Sequence, residues 1–248
     1  MKVIDRLIKI LCEERGEPAP VLSEDKKCDY FRALCNVRPP MPISKEFLRL
    51  QDDYLSEKTR LRGVVDIDGL TYKNSITLWQ GDITRLNADA IVNACNCKLL
   101  GCFQPLHNCI DNVIHSNAGM QVRLDCNEIM QGKDEPNGQV KVTKAYNLPS
   151  KFIFHTVGAI VYGKVTKQNQ TDLKNCYLFC LDKAAEMKLK SIAFCCISTG
   201  VYGYPKDKAC SLAVQTVKEW QAQTHSNIKI IFNVFTDEDR RLYECELS

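Results

Sequence analysis

From residue 73 onward, short apolar runs alternate with segments of helical periodicity, and this alternation restricts the fold more than any other feature of the chain. The runs at 75–79 (SITLW), 88–94 (ADAIVNA), 151–157 (KFIFHTV), 191–197 (SIAFCCI) and 228–235 (IKIIFNVF) have the length and composition of buried strands. Between them, Leu173, Cys176, Tyr177, Cys180, Leu181, Ala184 and Ala185 form an i, i+3, i+4 stripe. Ala209, Leu212, Ala213, Val217 and Trp220 form another. Strands that are apolar throughout need cover on both faces, so the pattern predicts an α/β fold built on a mostly parallel sheet. In such sheets ligands gather at the loops that leave the C-terminal strand ends.

Residues 1–72 lack this alternation and read as an N-terminal helical extension packed on the core that follows. Val3, Ile4, Leu7, Ile8 and Leu11 share one helical face, while Asp5, Arg6 and Lys9 interrupt the run that a signal peptide would need. Arg38-Pro39-Pro40-Met41-Pro42 forbids a regular helix and predicts a connector. Ser44 then predicts an N-cap for a second helix carrying Phe47, Leu48, Leu50, Tyr54 and Leu55. The extension holds no catalytic grouping; it is either a stabilising appendage or a partner-docking surface. No apolar run reaches the roughly 18 residues of a membrane span, which predicts a cytoplasmic protein without a membrane partner.

Apolar residues make up 45% of the chain and charged residues 25%, which excludes a mostly disordered protein. The net charge of +3, from 33 Lys+Arg against 30 Asp+Glu, gives no support to a nucleic-acid binder. Without a secretory signal, the 14 cysteines are expected as free thiols, most of them small buried hydrophobes. Cys176, Cys180, Cys195 and Cys196 fall in this class, and His115 and His155 read as structural histidines.

Three segments that follow apolar strands could carry chemistry. Gln80-Gly81-Asp82-Ile83-Thr84 alone is an ordinary turn. Ile197-Ser198-Thr199-Gly200-Val201-Tyr202-Gly203 precedes a helix, and its small residues would let successive N–H groups point at an anion. It is either a phosphate cradle or a plain strand-to-helix turn; Ser198 has no His/Asp partner that would make it a nucleophile. Between Asn93 and Asn112, Cys102, His107 and Cys109 stand in a C-x4-H-x-C arrangement. Two thiolates and an imidazole suit zinc, and three ligands leave a fourth tetrahedral position open, as catalytic sites require. Two other readings stand beside it: Cys95 or Cys97 closes the site into a structural zinc, or no metal binds.

Taken together, Gln80–Thr84, Ala90-Ile91-Val92-Asn93-Ala94-Cys95-Asn96 and Ile197–Gly203 resemble the macrodomain family, modules that bind ADP-ribose. After the second Asn the family has a glycine-rich run leading into Val-Asp-Gly. Here a longer segment, Gly101-Cys102-Phe103 through His107-Asn108-Cys109-Ile110-Asp111, takes its place. That departure, with Phe47-Leu48-Arg49-Leu50-Gln51-Asp52, is similar to a zinc-containing microbial branch of ADP-ribosyl hydrolases. The resemblance implies a three-layer macrodomain over 73–248, with a central mixed, mostly parallel sheet between helices, a zinc loop at 101–111 and one Zn2+ per chain.

It also implies roles. Asp82 would accept the adenine amino group, with the Ile83 backbone beside it. Phe235 would lie against adenine, unless it is a core strand residue. Ser198, Thr199, Gly200, Val201 and Tyr202 would hold the diphosphate, and Tyr202 would also pack on the distal ribose. Asn96 and Asp111 would be catalytic at the distal ribose, with Ile110 among the substrate contacts. The implied activity is hydrolysis of mono-ADP-ribosyl adducts on protein Asp or Glu side chains; the alternative is a non-enzymatic ADP-ribose reader with a structural zinc. Partners in such members are a lipoyl-carrier protein and a sirtuin-like ADP-ribosyltransferase.

Overall fold

Five of the six strands in the sheet coincide with the apolar runs. The computed structural model describes residues 2–248, and its strands are β1 (Ile76–Gln80), β2 (Ala90–Cys95), β3 (Val140–Lys144), β4 (Phe152–Val157), β5 (Ser191–Phe194) and β6 (Lys229–Val234). Their order is β1-β6-β5-β2-β4-β3, parallel except for the antiparallel pair β3–β4. The strand β3 (VKVTK) has no apolar run: it is an edge strand, half-exposed, with Lys141 and Lys144 in it. β5 stops at Phe194, so Cys195 and Cys196 begin a loop rather than continue the strand.

The helices are α1 (Val3–Glu14), α2 (Glu24–Val37), α3 (Lys45–Arg62), α4 (Ile110–Ala118) and α5 (Met120–Met130). They continue with α6 (Lys167–Glu186), α7 (Lys206–Thr224) and α8 (Asp237–Leu247). The stripe on α6 is buried from Leu173 to Ala184, and α6, α7 and α8 pack against one another as one cover of the sheet. α4 and α5 pack together on the other side, and α2 and α3 stack on α4. The fold is thus an α/β three-layer arrangement with an added helical layer.

That added layer has its own apolar cluster, in which Leu7, Ile8 and Leu11 of α1 meet Phe31, Leu34 and Phe47, joined by Met120 of α5. Ser44 caps α3, accepting from the Phe47 N–H at 3.1 Å, and the helix ends at Gly63 with φ 78°. Residues 38–44 between α2 and α3 are non-helical, as the prolines require. No helix among the described residues is long and apolar enough to cross a membrane.

Candidate functional site

The loops leaving the C-terminal ends of β1, β2, β4, β5 and β6 meet at one edge of the sheet. Two open grooves of about 1000 and 640 Å³ lie at the opposite, N-terminal strand ends and take no part in this grouping.

After β1, Gly81 bonds to the end of β6: its N–H donates to the Val234 carbonyl at 2.9 Å, and Asn233 Nδ2 donates to its carbonyl at 2.9 Å. A Cβ at this glycine would stand 2.5 Å from the Trp79 ring, so a larger residue would force that ring to move. Asp82 then caps a single 3-10 turn, Ile83–Arg85. Its Oδ1 accepts from the Thr84 N–H at 3.0 Å and the Thr84 hydroxyl at 2.7 Å, and its Oδ2 accepts from Arg62 Nη1 at 3.0 Å. Arg62, the last residue of α3, is a neighbour that no local pattern marks. Ile83 is buried, leaving its backbone beside the carboxylate. Phe235 follows β6 and is 75% exposed, which removes its alternative reading as a core residue.

After β5, the chain curls tightly. Ser198 has φ 68°, costly for a residue with a Cβ, and the turn closes through Tyr204 N–H to the Ser198 carbonyl and Gly203 N–H to the Gly200 carbonyl, both at 3.0 Å. Thr199 Oγ1 donates back to the Cys196 carbonyl at 3.0 Å. Gly200 and Val201 are exposed at the tip. α7 starts directly behind, after Pro205, with no side-chain cap on its first N–H groups, a setting that favours an anion. The Tyr202 hydroxyl donates to the Cys95 carbonyl at 3.2 Å and so ties this loop to the end of β2. Ser198 Oγ is buried without a partner and presses on Gly158, where a Cβ would lie 2.2 Å away. Gly158 was missed by sequence reasoning, although a glycine directly after an apolar strand was the available signal.

After β2, Asn96 holds the start of the next loop: its Oδ1 accepts from the Lys98 N–H at 3.0 Å and its Nδ2 donates to the Gly101 carbonyl at 3.2 Å. The ligand atoms of Cys102, His107 and Cys109, all half-buried, lie within 4.8 Å of one another. Cys102 Sγ is 3.6 Å from His107 Nδ1. Zinc bonds of about 2.3 Å to sulfur and 2.0–2.1 Å to nitrogen give a tetrahedral S–N edge of about 3.6 Å, so donor set and spacing fit that ion. Neither Cys95 nor Cys97 belongs to the group among the described residues; the buried Cys95 thiol instead faces the Thr156 carbonyl at 3.4 Å. Cys109 caps α4, its sulfur accepting from the Asn112 N–H at 3.4 Å. Burial pushes its thiol up to about 11 despite that N–H, and Cys102 adds to the shift.

The expected loop 101–111 is therefore cut short: Ile110 and Asp111 already form the first turn of α4. Asp111 is buried, and its Oδ1 accepts from Asn93 Nδ2 at 2.8 Å, with His115 Nε2 at 3.4 Å. Burial pushes the carboxyl up to about 6, against the pull of the Asn93 bond and the Arg123 charge. Asn93 is fully buried in β2 and also donates toward His155 Nδ1 at 3.2 Å. His155 Nε2 lies 2.9 Å from the Thr143 hydroxyl, so both ring nitrogens are committed. His155 thus sits directly behind Asn93 and Asp111, with Cys126 Sγ 3.8 Å from its Nε2. Asn93 and Arg123 were both missed as supports; Arg123 donates to the carbonyls of Leu100, Cys35 and Arg38 and stacks over Phe103.

The family model described as "Macro domain" matches residues 92–213. The chain is 50% identical over 232 residues to a protein-ADP-ribose hydrolase of Treponema medium, covering 91% of this chain and 89% of that one. It is equally 50% identical to one from Staphylococcus aureus strain MRSA252, over 87% of this chain and 83% of that one. Human ADP-ribose glycohydrolase MACROD2 is 40% identical over 97% of this chain and 54% of its own length. Among solved structures, the Oceanobacillus iheyensis macrodomain with ADP superposes with a TM-score of 0.62 at 34% identity, covering 69% of this chain and 89% of that one. The Trypanosoma brucei macrodomain in complex with ADP-ribose gives 0.68 at 26% identity, with 87% and 95% covered.

Proposed function

We propose, starting from the fact that this chain belongs to the macrodomain family, that it is a protein-ADP-ribose hydrolase that frees mono-ADP-ribose from Asp or Glu side chains. The observation that carries the reading is the 50% identity to hydrolases of that name along nearly the whole of both chains. The Cys102–His107–Cys109 group supports assignment to the zinc-containing branch.

Bound by those three side chains, a zinc ion would supply Lewis acidity beside the distal ribose. The remaining work belongs to the chain. Asp82 would accept the adenine amine, the Ile83 backbone would lie beside it, and the exposed Phe235 ring would cover the base. The N–H groups from Ser198 to Tyr202, with those opening α7, would hold the diphosphate. Asn96, fixed at Lys98 and Gly101, would orient the distal ribose, with Ile110 against it.

Hydrolysis then breaks the bond between C1″ and the ester oxygen. Water adds its oxygen to C1″, the protein carboxylate departs with the bonding pair, and Asp111 receives the proton on Oδ2, the oxygen that Asn93 leaves free. A carboxylate is a good leaving group, so positioning and charge stabilisation suffice. A lipoyl-carrier protein as the modified target, and a sirtuin-like ADP-ribosyltransferase as the opposing enzyme, are proposals drawn from the resemblance alone. A cytoplasmic location is a proposal as well, carried by the sequence pattern and not by the resemblance.

The test is incubation with a mono-ADP-ribosylated protein, with and without a chelator, while free ADP-ribose is followed. Release that stops on chelation and returns with added zinc is the expected result. ADP-ribose binding without any release would identify a reader and overturn the assignment.

A further inference from the structure

The metal-ligand side chains sit on a loop that does little to hold itself. Among the described residues, its backbone makes one internal turn bond, His107 N–H to the Gln104 carbonyl at 3.3 Å, and Leu106 stands at φ 56°. The three ligand residues themselves are held by two neighbours. Asn112 is fully buried; its Nδ2 donates to the carbonyls of Cys102 at 3.4 Å and Gln104 at 3.0 Å, and its N–H reaches Cys109 Sγ. Its Oδ1 accepts from Arg32 Nη2 at 2.8 Å and Nε at 3.3 Å. The same Nη2 donates to the His107 carbonyl at 2.7 Å. Each of the three ligand residues is thus one hydrogen bond from the Arg32–Asn112 pair.

Arg32 lies on α2, in the N-terminal layer, 75 positions before His107. Four residues further along the same helical face, Asn36 Oδ1 accepts the Leu106 N–H at 3.0 Å. We propose that α2 is the positioning element of the metal site: Arg32, acting through Asn112 and the His107 carbonyl, holds Cys102, His107 and Cys109 in one constellation before metal arrives. This rests on reading those three residues as a zinc site. Partners that fix ligand orientation from outside the coordination sphere are worth 10–100-fold in metal affinity, because the ion no longer has to order its own ligands.

The experiment uses the full-length protein, stripped of metal. Zinc affinity and dissociation rate are measured by competition with a chromogenic chelator for the wild type, Arg32→Ala and Arg32→Lys. Thermal midpoints of the metal-free proteins are taken alongside. Arg32→Ala should weaken zinc binding roughly 10–100-fold. Arg32→Lys, which can keep the His107 carbonyl but not the forked bond to Asn112, should fall between. A merely structural arginine would lower the metal-free midpoint and leave zinc affinity unmoved. Wild-type zinc affinity in Arg32→Lys and in Arg32→Ala overturns the proposal while the site reading stands; if Arg32→Ala does not fold, wild-type affinity in Arg32→Lys alone overturns it. Failure of the wild type to bind zinc removes the site reading itself.

Discussion

Arg62 Nη1 lies 3.0 Å from Asp82 Oδ2, so the last residue of α3 sets a positive charge against the carboxylate to which we assign the adenine amine. With Thr84 giving two donors to Oδ1, three of the roughly four lone-pair positions of Asp82 are filled by the protein. One position is left, which suits a single amine hydrogen.

That count sets the first prediction. Asp82→Ala should weaken ADP-ribose binding by about 1–3 kcal/mol, the usual loss for a hydrogen bond to a charged group. An analogue with hypoxanthine in place of adenine offers a carbonyl where the amine was. It should bind the wild type less well, whereas Asp82→Ala should hardly distinguish the two. Calorimetry with both ligands measures this, and equal affinities in the wild type would put adenine elsewhere.

Metal content is the second. Purified protein should hold about one zinc per chain, lost on Cys102→Ser, His107→Ala or Cys109→Ser and retained on Cys95→Ser or Cys97→Ser. Elemental analysis decides it; an emptied site in Cys97→Ser would mean a closed, four-ligand zinc.

Third, chemistry should separate from binding. Cys102→Ser should abolish release of ADP-ribose while a titration still detects ADP-ribose affinity, because in the proposed binding mode Asp82 and the Ser198–Tyr202 loop would hold the other end. Full turnover by a folded, zinc-free Cys102→Ser protein would take the metal out of the reaction.

A fourth concerns Gly158. Gly158→Ala puts a methyl 2.2 Å from Ser198 Oγ and should cost about 1–3 kcal/mol by overpacking, with weaker ADP-ribose binding as the Ser198–Tyr202 loop shifts. Adding Ser198→Gly removes that contact and should recover part of the loss. Urea denaturation of the two singles and the double gives the coupling, and strict additivity would mean that the contact does not matter.

The fifth is a pH dependence. Burial lowers His155 to about 3 and His115 well below its ordinary value, so both are neutral in the folded chain. Below about pH 6.5 the unfolded chain takes up protons there that the folded chain refuses, so stability falls as pH falls. Each such group gives a slope of about 1.4 kcal/mol per pH unit, for His155 down to about pH 3. Asp111, raised to about 6, works against this between about pH 6 and 4. His155→Gln should therefore flatten the acid limb of a denaturation series; an unchanged limb would mean that His155 protonates inside the fold.

The strands were readable because β2, β4, β5 and β6 are covered on both faces, which demands unbroken apolar runs. β3 was hidden because half-exposed edge residues carry no such demand. α8 was hidden because only Asp239 and Tyr243 are buried along its charged length. The start of α4 was unreadable for another reason: its cap is a cysteine, and it begins inside what looked like loop. Within the site, the C-x4-H-x-C spacing did mark side chains that converge. Partnerships such as Arg62–Asp82 and Arg32–Asn112 span 20 and 80 positions, and no local pattern records them.

β3 has one more effect. As the outermost strand beside β4, it offers an unpaired row of backbone donors and acceptors on which another extended chain could dock. Lys144 is exposed there, and Lys141 is paired with Glu135 across 3.2 Å. An incoming strand would have to strip water from one cation and crowd the other, so this margin resists templated aggregation even though its valines favour the extended state.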